Sequence, residues 1–208
     1  MNLKINELEN AQKYQLLYAL DHSEITSFAQ AEFKKRNIFT IFYFLVNGAF
    51  LGSLGFFVAL DLLSEKVNWI DMFGGLCLGI LVCFSVVILL HELLHVLAYK
   101  IVGAEETAIK ADWKKFVFVA VADKFVAGSK AFYFIALLPF TVFTIAFLLG
   151  LSLTSGFVFY MILGAAFMHT ACCGGDFALV SYFWENRNKQ IITYDDVPQK
   201  KSYFYEVL

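Results

Sequence analysis

The chain has 208 residues, 60% of them hydrophobic and only 16% charged, with a net charge of −2 and a mean hydropathy of +0.67. Soluble domains carry about 25% charged residues; here the deficit is gathered into long apolar runs, which excludes an ordinary soluble globule and points to an integral membrane protein. The near-neutral balance gives no reason to expect a nucleic-acid partner. Cys77, Cys83, Cys172 and Cys173 all fall in apolar runs, where cysteine serves as a small core residue rather than as part of a disulfide framework.

In chain order, residues 1–36 read as a cytosolic amphipathic helical segment, because Leu8, Leu16, Leu17, Leu20, Ile25 and Phe28 can form an apolar stripe among charged residues. His22 lies in this segment and reads as a surface histidine. The segment lacks the basic, apolar and small-residue succession of a cleavable signal peptide, so the first apolar span is expected to act as an uncleaved anchor. A membrane domain over 37–184 follows, with four runs long enough for the ~20 residues that a bilayer core requires. They extend from about Ile38 to Leu60, Met72 to Tyr99, Ala131 to Leu153 and Phe157 to Trp184. Gly48-x-x-x-Gly52 and Gly75-x-x-x-Gly79 offer small-residue faces for close helix packing, and Pro139 is expected to kink the third span. Residues 185–208 form a cytosolic tail. The expected class is an all-α polytopic membrane protein with about four transmembrane helices and a short β-hairpin-like segment between the second and third.

Orientation follows from the basic residues. All sixteen lysines and arginines except Lys66 fall before the first span, between the second and third, or after the fourth. Basic residues accumulate on the cytoplasmic side, so both termini and the loop 103–130 are expected there, in a multi-pass protein of the cytoplasmic (inner) membrane of a bacterium. Within that loop Phe116, Val117, Phe118 and Val119, continued by Ala120 and Val121, are rich in β-branched and aromatic types and read as a strand. It is either a surface hairpin that caps the helices or an exposed edge that pairs with an extended peptide substrate.

Chemistry is concentrated in the spans. His91-Glu92-Leu93-Leu94-His95 lies in the second, and His169 and Asp176 lie in the fourth, so three of the four histidines are intramembrane. Titratable groups at membrane depth are costly and mark function by default. On a helix, histidines at i and i+4 share a face and can ligate one metal, with the intervening glutamate beside it. His95 lies five residues before Lys100, and Asp176 nine before Glu185; at about 1.5 Å per residue the groups sit about 8–14 Å inside their cytoplasmic helix ends, which lets Asp176 meet the histidines at one depth. Catalytic zinc keeps three nitrogen or oxygen ligands and one open position. His91, His95 and Asp176 supply those ligands, and Glu92 is left to take a proton from the attacking water. Gly174 and Gly175 are expected to loosen the helix before Asp176. His169, one helical face with Asp176, is a donor behind the ligands, a stabiliser of the oxyanion, an alternative ligand or a core histidine. Cys172 and Cys173 are thiolate candidates, with packing the ordinary alternative.

His91-Glu92-Leu93-Leu94-His95 in one span and Gly174-Gly175-Asp176 in a later one resemble the bacterial membrane family of putative zincin peptidases, related to site-2 protease-type intramembrane zinc metalloproteases. The similarity runs from about Ile38 to Trp184. It implies zinc held by His91, His95 and Asp176, Glu92 as catalytic base, and cleavage of a peptide or transmembrane protein substrate in or near the membrane lipid. Site-2 proteases place glycine after the aspartate, whereas here glycines precede it and Phe177 follows. The rival expectations are a catalytically inactive zinc-binding protein that holds transmembrane segments without cutting them, and a transporter using the same buried groups.

Overall fold

The computed structural model of the chain describes residues 3, 5–64, 68–112 and 117–208. It is mostly helical, and among the described residues three helices are long and apolar enough to cross a bilayer: Ile38–Leu63, Ile70–Ile101 and Ser129–Leu153. A fourth span results if Gly156–Cys172 and Gly174–Glu185, bent by 41°, are taken together. In lipid every backbone amide must be satisfied internally, which long apolar helices achieve. The expected all-α class with a short hairpin-like segment holds in part: the protein is mostly helical, but strands from near both ends and from the middle of the chain build a four-stranded sheet.

The helices are α1 (Ile25–Phe33), α2 (Ile38–Leu63), α3 (Gly75–Val82), α4 (Ile88–Ile101), α5 (Ser129–Leu153), α6 (Gly156–Cys172) and α7 (Gly174–Glu185). The strands are β1 (Tyr14–Asp21), β2 (Ala108–Asp112), β3 (Val117–Val121), β4 (Ala127–Gly128), β5 (Gln190–Asp196) and β6 (Lys201–Val207). Asn37 caps α2, its Oδ1 accepting from the amides of Phe39 at 3.1 Å and Thr40 at 3.2 Å, as an N-cap side chain should. α3 and α4 belong to one continuous helix whose π turns lie at Ile70–Gly74 and Cys83–Val87, the second just before His91; π turns of this kind gather at functional sites. α4 stops at Gly103, whose φ of 101° only glycine adopts readily, with Ala104 N–H donating to Tyr99 O at 2.9 Å and Gly103 N–H to Lys100 O at 3.1 Å, the Schellman closure.

The chain folds as two compact units. The first draws on 1–40, 92–138 and 175–208. Its sheet has the antiparallel order β1-β6-β5-β4. Residues 1–36, expected as a helical segment, contain a short 3-10 turn at Ile5–Glu9, strand β1, a second 3-10 turn at His22–Glu24 and only then α1; the expected tail 185–208 supplies β5 and β6. The pairing of β1 with β6 skips a residue between Leu16 and Tyr18, a bulge on an edge strand of the kind that discourages edge-to-edge association. The core gathers Leu20, Phe28, Phe132, Ala136, Val180, Phe183, Ile191 and Phe204, with Phe132 and Phe183 stacked at 4.3 Å. Beside it runs a buried polar chain: Ser181 Oγ donates to Glu32 Oε2 at 3.0 Å, and Asn37 Nδ2 donates to Ser181 Oγ at 2.7 Å and Glu185 Oε1 at 2.9 Å. It ties α1 and the start of α2 to α7. A separate antiparallel pair, β2 with β3, sets Ile109 opposite Ala120 and Lys110 opposite Val119.

The second unit draws on 41–91 and 139–174. Its core holds Phe50, Met72, Cys83, Val87, Phe147, Tyr160, Leu163 and Ala166. α3 and α6 approach so closely that a Cβ on Gly79 would lie 2.0 Å from Met161 O, one on Gly75 2.5 Å from Phe157 O, and one on Gly164 2.8 Å from Leu76 O. Small residues permit this backbone-to-backbone contact. Gly48 and Gly52 have nothing within 4 Å of a built Cβ, so of the two glycine pairs only Gly75 and Gly79 form a seam. Tyr160 Oη donates to Asp61 Oδ2 at 2.6 Å, joining α6 to the end of α2.

Candidate metal centre

α4 presents His91, Glu92 and His95 on successive turns, with metal-ligating atoms all within 4.8 Å of one another along this one helix. All three are buried, at 7%, 9% and 8% exposure, where unsatisfied polar groups would be costly.

In the first unit, His95 Nδ1 meets Ile135 O at 2.9 Å. A carbonyl only accepts, so Nδ1 carries a proton, which leaves Nε2 as the ring atom that would face an ion. That Nε2 lies 3.4 Å from Asp176 Oδ1. Two ligands of one tetrahedral ion at bond lengths of ~2.0–2.2 Å sit about 3.3–3.5 Å apart; the donor types and spacing fit zinc. Asp176 occupies the first turn of α7, where the helix dipole favours a carboxylate. The break that puts it there falls at Cys173, between α6 and α7, next to Gly174 and Gly175. Glu92 Oε2 accepts from the backbone N–H of Ala120 at 2.6 Å, which ties the motif glutamate to β3. Of the expected substrate-strand residues, Val117, Phe118 and Val119 lie on β3, with Val119 45% exposed, and Phe116 falls outside the described residues.

In the second unit, His91 Nδ1 lies 3.0 Å from His169 Nε2, and His169 is 2% exposed. Phe143 and Phe147 pack on the His169 ring at centroid distances of 4.7 and 5.6 Å. Cys173 Sγ donates to His169 O at 3.2 Å and stands 3.9 Å from His169 Nε2. His169 thus adjoins His91 and a thiol.

Two participants have no side-chain signature in the sequence. The Ile135 carbonyl and the Ala120 amide are backbone groups, which no residue type announces. Cys173 did have a signal, since it follows His169 at i+4 and so shares its helix face.

The model of the family described as putative zincin peptidase matches residues 84–191, a stretch that contains the α4 motif, β2, β3 and Asp176. No curated protein and no solved structure matches the chain.

Proposed function

The chain belongs to the family described as putative zincin peptidase, and from that premise we propose that it is a zinc-dependent intramembrane metallopeptidase, hydrolysing a peptide bond in or near a membrane-embedded segment. The observation that carries this reading is the 3.4 Å approach of Asp176 to His95, which adds a carboxylate to an HExxH helix from a distant part of the chain. His91, His95 and Asp176 hold the zinc, which when bound supplies Lewis acidity to water and to the scissile carbonyl.

Each of the chain's own groups then has a task. Ile135 fixes the His95 tautomer. His169, at Nδ1 of His91, leaves His91 Nε2 for the ion, the usual role of a group behind a ligating histidine. Glu92 takes the proton of the attacking water and returns it to the leaving amine. Its anchor on Ala120 N–H sets the base beside β3, so an extended substrate pairing along Val117–Val119 would bring its backbone close to Glu92. The basic-residue bias supports a site opening toward the cytoplasm of a bacterium, with both termini on that side and helices long and apolar enough for its inner membrane.

Glu92→Gln is the direct test. It should retain zinc while cleavage of a transmembrane reporter substrate falls by about 10²–10⁴. Undiminished cleavage in that variant, or wild-type protein purified without stoichiometric zinc under non-chelating conditions, would remove the reading.

A further inference from the structure

We propose that His91, His169 and Cys173 form a second metal centre, selective for a thiophilic d10 cation, that competes with the zinc centre for His91. The competition rests on His91 being a zinc ligand; the cluster itself does not.

All three residues are buried, Cys173 at 0%, His169 at 2% and His91 at 7% exposure, and one ligand atom from each lies within 4.8 Å of the others. With bonds of ~2.0 Å to nitrogen and ~2.3 Å to sulfur, a tetrahedral ion needs edges of about 3.3 Å between nitrogens and about 3.6 Å from nitrogen to sulfur. The corresponding separations are 3.0 Å for His91 Nδ1 to His169 Nε2 and 3.9 Å for His169 Nε2 to Cys173 Sγ. These two edges need a shift of only a few tenths of an ångström, and the third, from His91 to Cys173, lies within 4.8 Å. The site is soft, with one sulfur and two imidazoles and no carboxylate in the set, and sulfur ligands favour thiophilic d10 ions such as Cu⁺ and Cd²⁺, zinc being the hardest of them. Phe143 and Phe147 against His169 give it an apolar wall.

Proton accounting explains the competition. Without metal, one N–H lies between His91 Nδ1 and His169 Nε2, and the thiol donates to His169 O. A cation bound to both facing nitrogens requires each neutral imidazole to carry its proton on the other ring atom, so His91 becomes protonated at Nε2. The thiol proton leaves to solvent. A neutral imidazole has one lone pair, and with Nδ1 on the soft ion, Nε2 cannot ligate zinc. The His91–His169 contact is thus a two-way position, holding either a proton while His91 faces zinc or a soft cation while zinc loses a ligand.

The test uses the full chain in detergent with Cd²⁺ as the probe. Metal-stripped wild type titrated with Cd²⁺ should develop thiolate-to-metal charge-transfer absorption that saturates at one equivalent. Cys173→Ser should lose the band, whereas Cys172→Ser and Asp176→Asn should keep it. X-ray absorption of the wild-type cadmium form, which needs no variant, should give one sulfur and two nitrogen donors. Added to zinc-loaded protein, Cd²⁺ should release zinc in step with the growth of the band. Absence of the band in wild type, its survival in Cys173→Ser, or a sulfur-free cadmium shell would overturn the site; full zinc retention alongside a saturated band would overturn the competition. If Asp176→Asn keeps its zinc, the zinc reading fails, but the cadmium result still stands or falls separately.

Discussion

His95 and His91 stand one turn apart on the same helix, yet their surroundings are of opposite kinds. His95 is held by groups of fixed polarity: a backbone carbonyl at Nδ1, which can only accept, and a carboxylate 3.4 Å from Nε2. The proton at its Nδ1 is set before any ion arrives. His91 is held at Nδ1 by another imidazole, with a thiol beyond it, and both can donate or accept. Under the proposed zinc reading, identical residue types in one motif thus supply one preorganised ligand and one adjustable ligand. If a ligand needs both orientation and correct protonation, the two ends of the motif should respond differently to loss of their neighbours.

The largest difference is expected at the fixed end. Asp176→Asn removes the anionic donor beside His95 and should weaken zinc binding by more than about 100-fold, beyond the range for groups that only orient a ligand. Metal analysis after dialysis against a zinc buffer reads this directly. At the adjustable end, His169→Phe keeps a flat ring against Phe143 and Phe147 but removes the nitrogen that meets His91. Zinc affinity should fall about 10–100-fold with the thermal midpoint little changed, and His169→Gln, whose amide oxygen can still accept, should recover part of the loss. A larger cost for His169→Phe than for Asp176→Asn would reverse the comparison.

The fixed end was the more legible in the sequence. HExxH spacing and the scarcity of acids within the apolar runs point to Asp176, because charged residues there are few enough to enumerate, and the structure sets its carboxylate 3.4 Å from His95. The sheet was less legible, for two different reasons. β1 is Tyr-Gln-Leu-Leu-Tyr-Ala-Leu-Asp, in which leucine, alanine and glutamine favour a helix; only pairing with β6 makes it a strand, and tertiary pairing overrides such propensity. β5 and β6, by contrast, showed a readable hairpin, with Ile191 to Tyr194 and Tyr203 to Tyr205 on either side of a turn containing Pro198. Their polar flanks and terminal position made them look like a tail. The His91–His169 contact was out of reach, since helical phase put His169 on the face of Asp176 and the break at Cys173 ends that phase.

The glycine pairs extend the same comparison to packing. Gly75-x-x-x-Gly79 and Gly48-x-x-x-Gly52 are indistinguishable as patterns, but only the first supports a helix contact. A methyl group on Gly79 would meet the Met161 carbonyl at 2.0 Å and the Ala165 amide nitrogen at 2.9 Å; both are backbone atoms, so relief requires α6 to move away from α3. Overpacking of this kind costs about 1–3 kcal/mol. α6 carries His169, so Gly79→Ala should lower the thermal midpoint in detergent and also weaken zinc binding through the His91 end. Gly48→Ala meets nothing within 4 Å and replaces a poor helix former with the best one, a change worth up to about 1 kcal/mol in favour of the helix; it should leave zinc affinity alone and hold or raise the midpoint. Equal responses from the two variants would mean that the α3–α6 seam does not set the position of His169, and that the adjustability of His91 is confined to its immediate hydrogen bond.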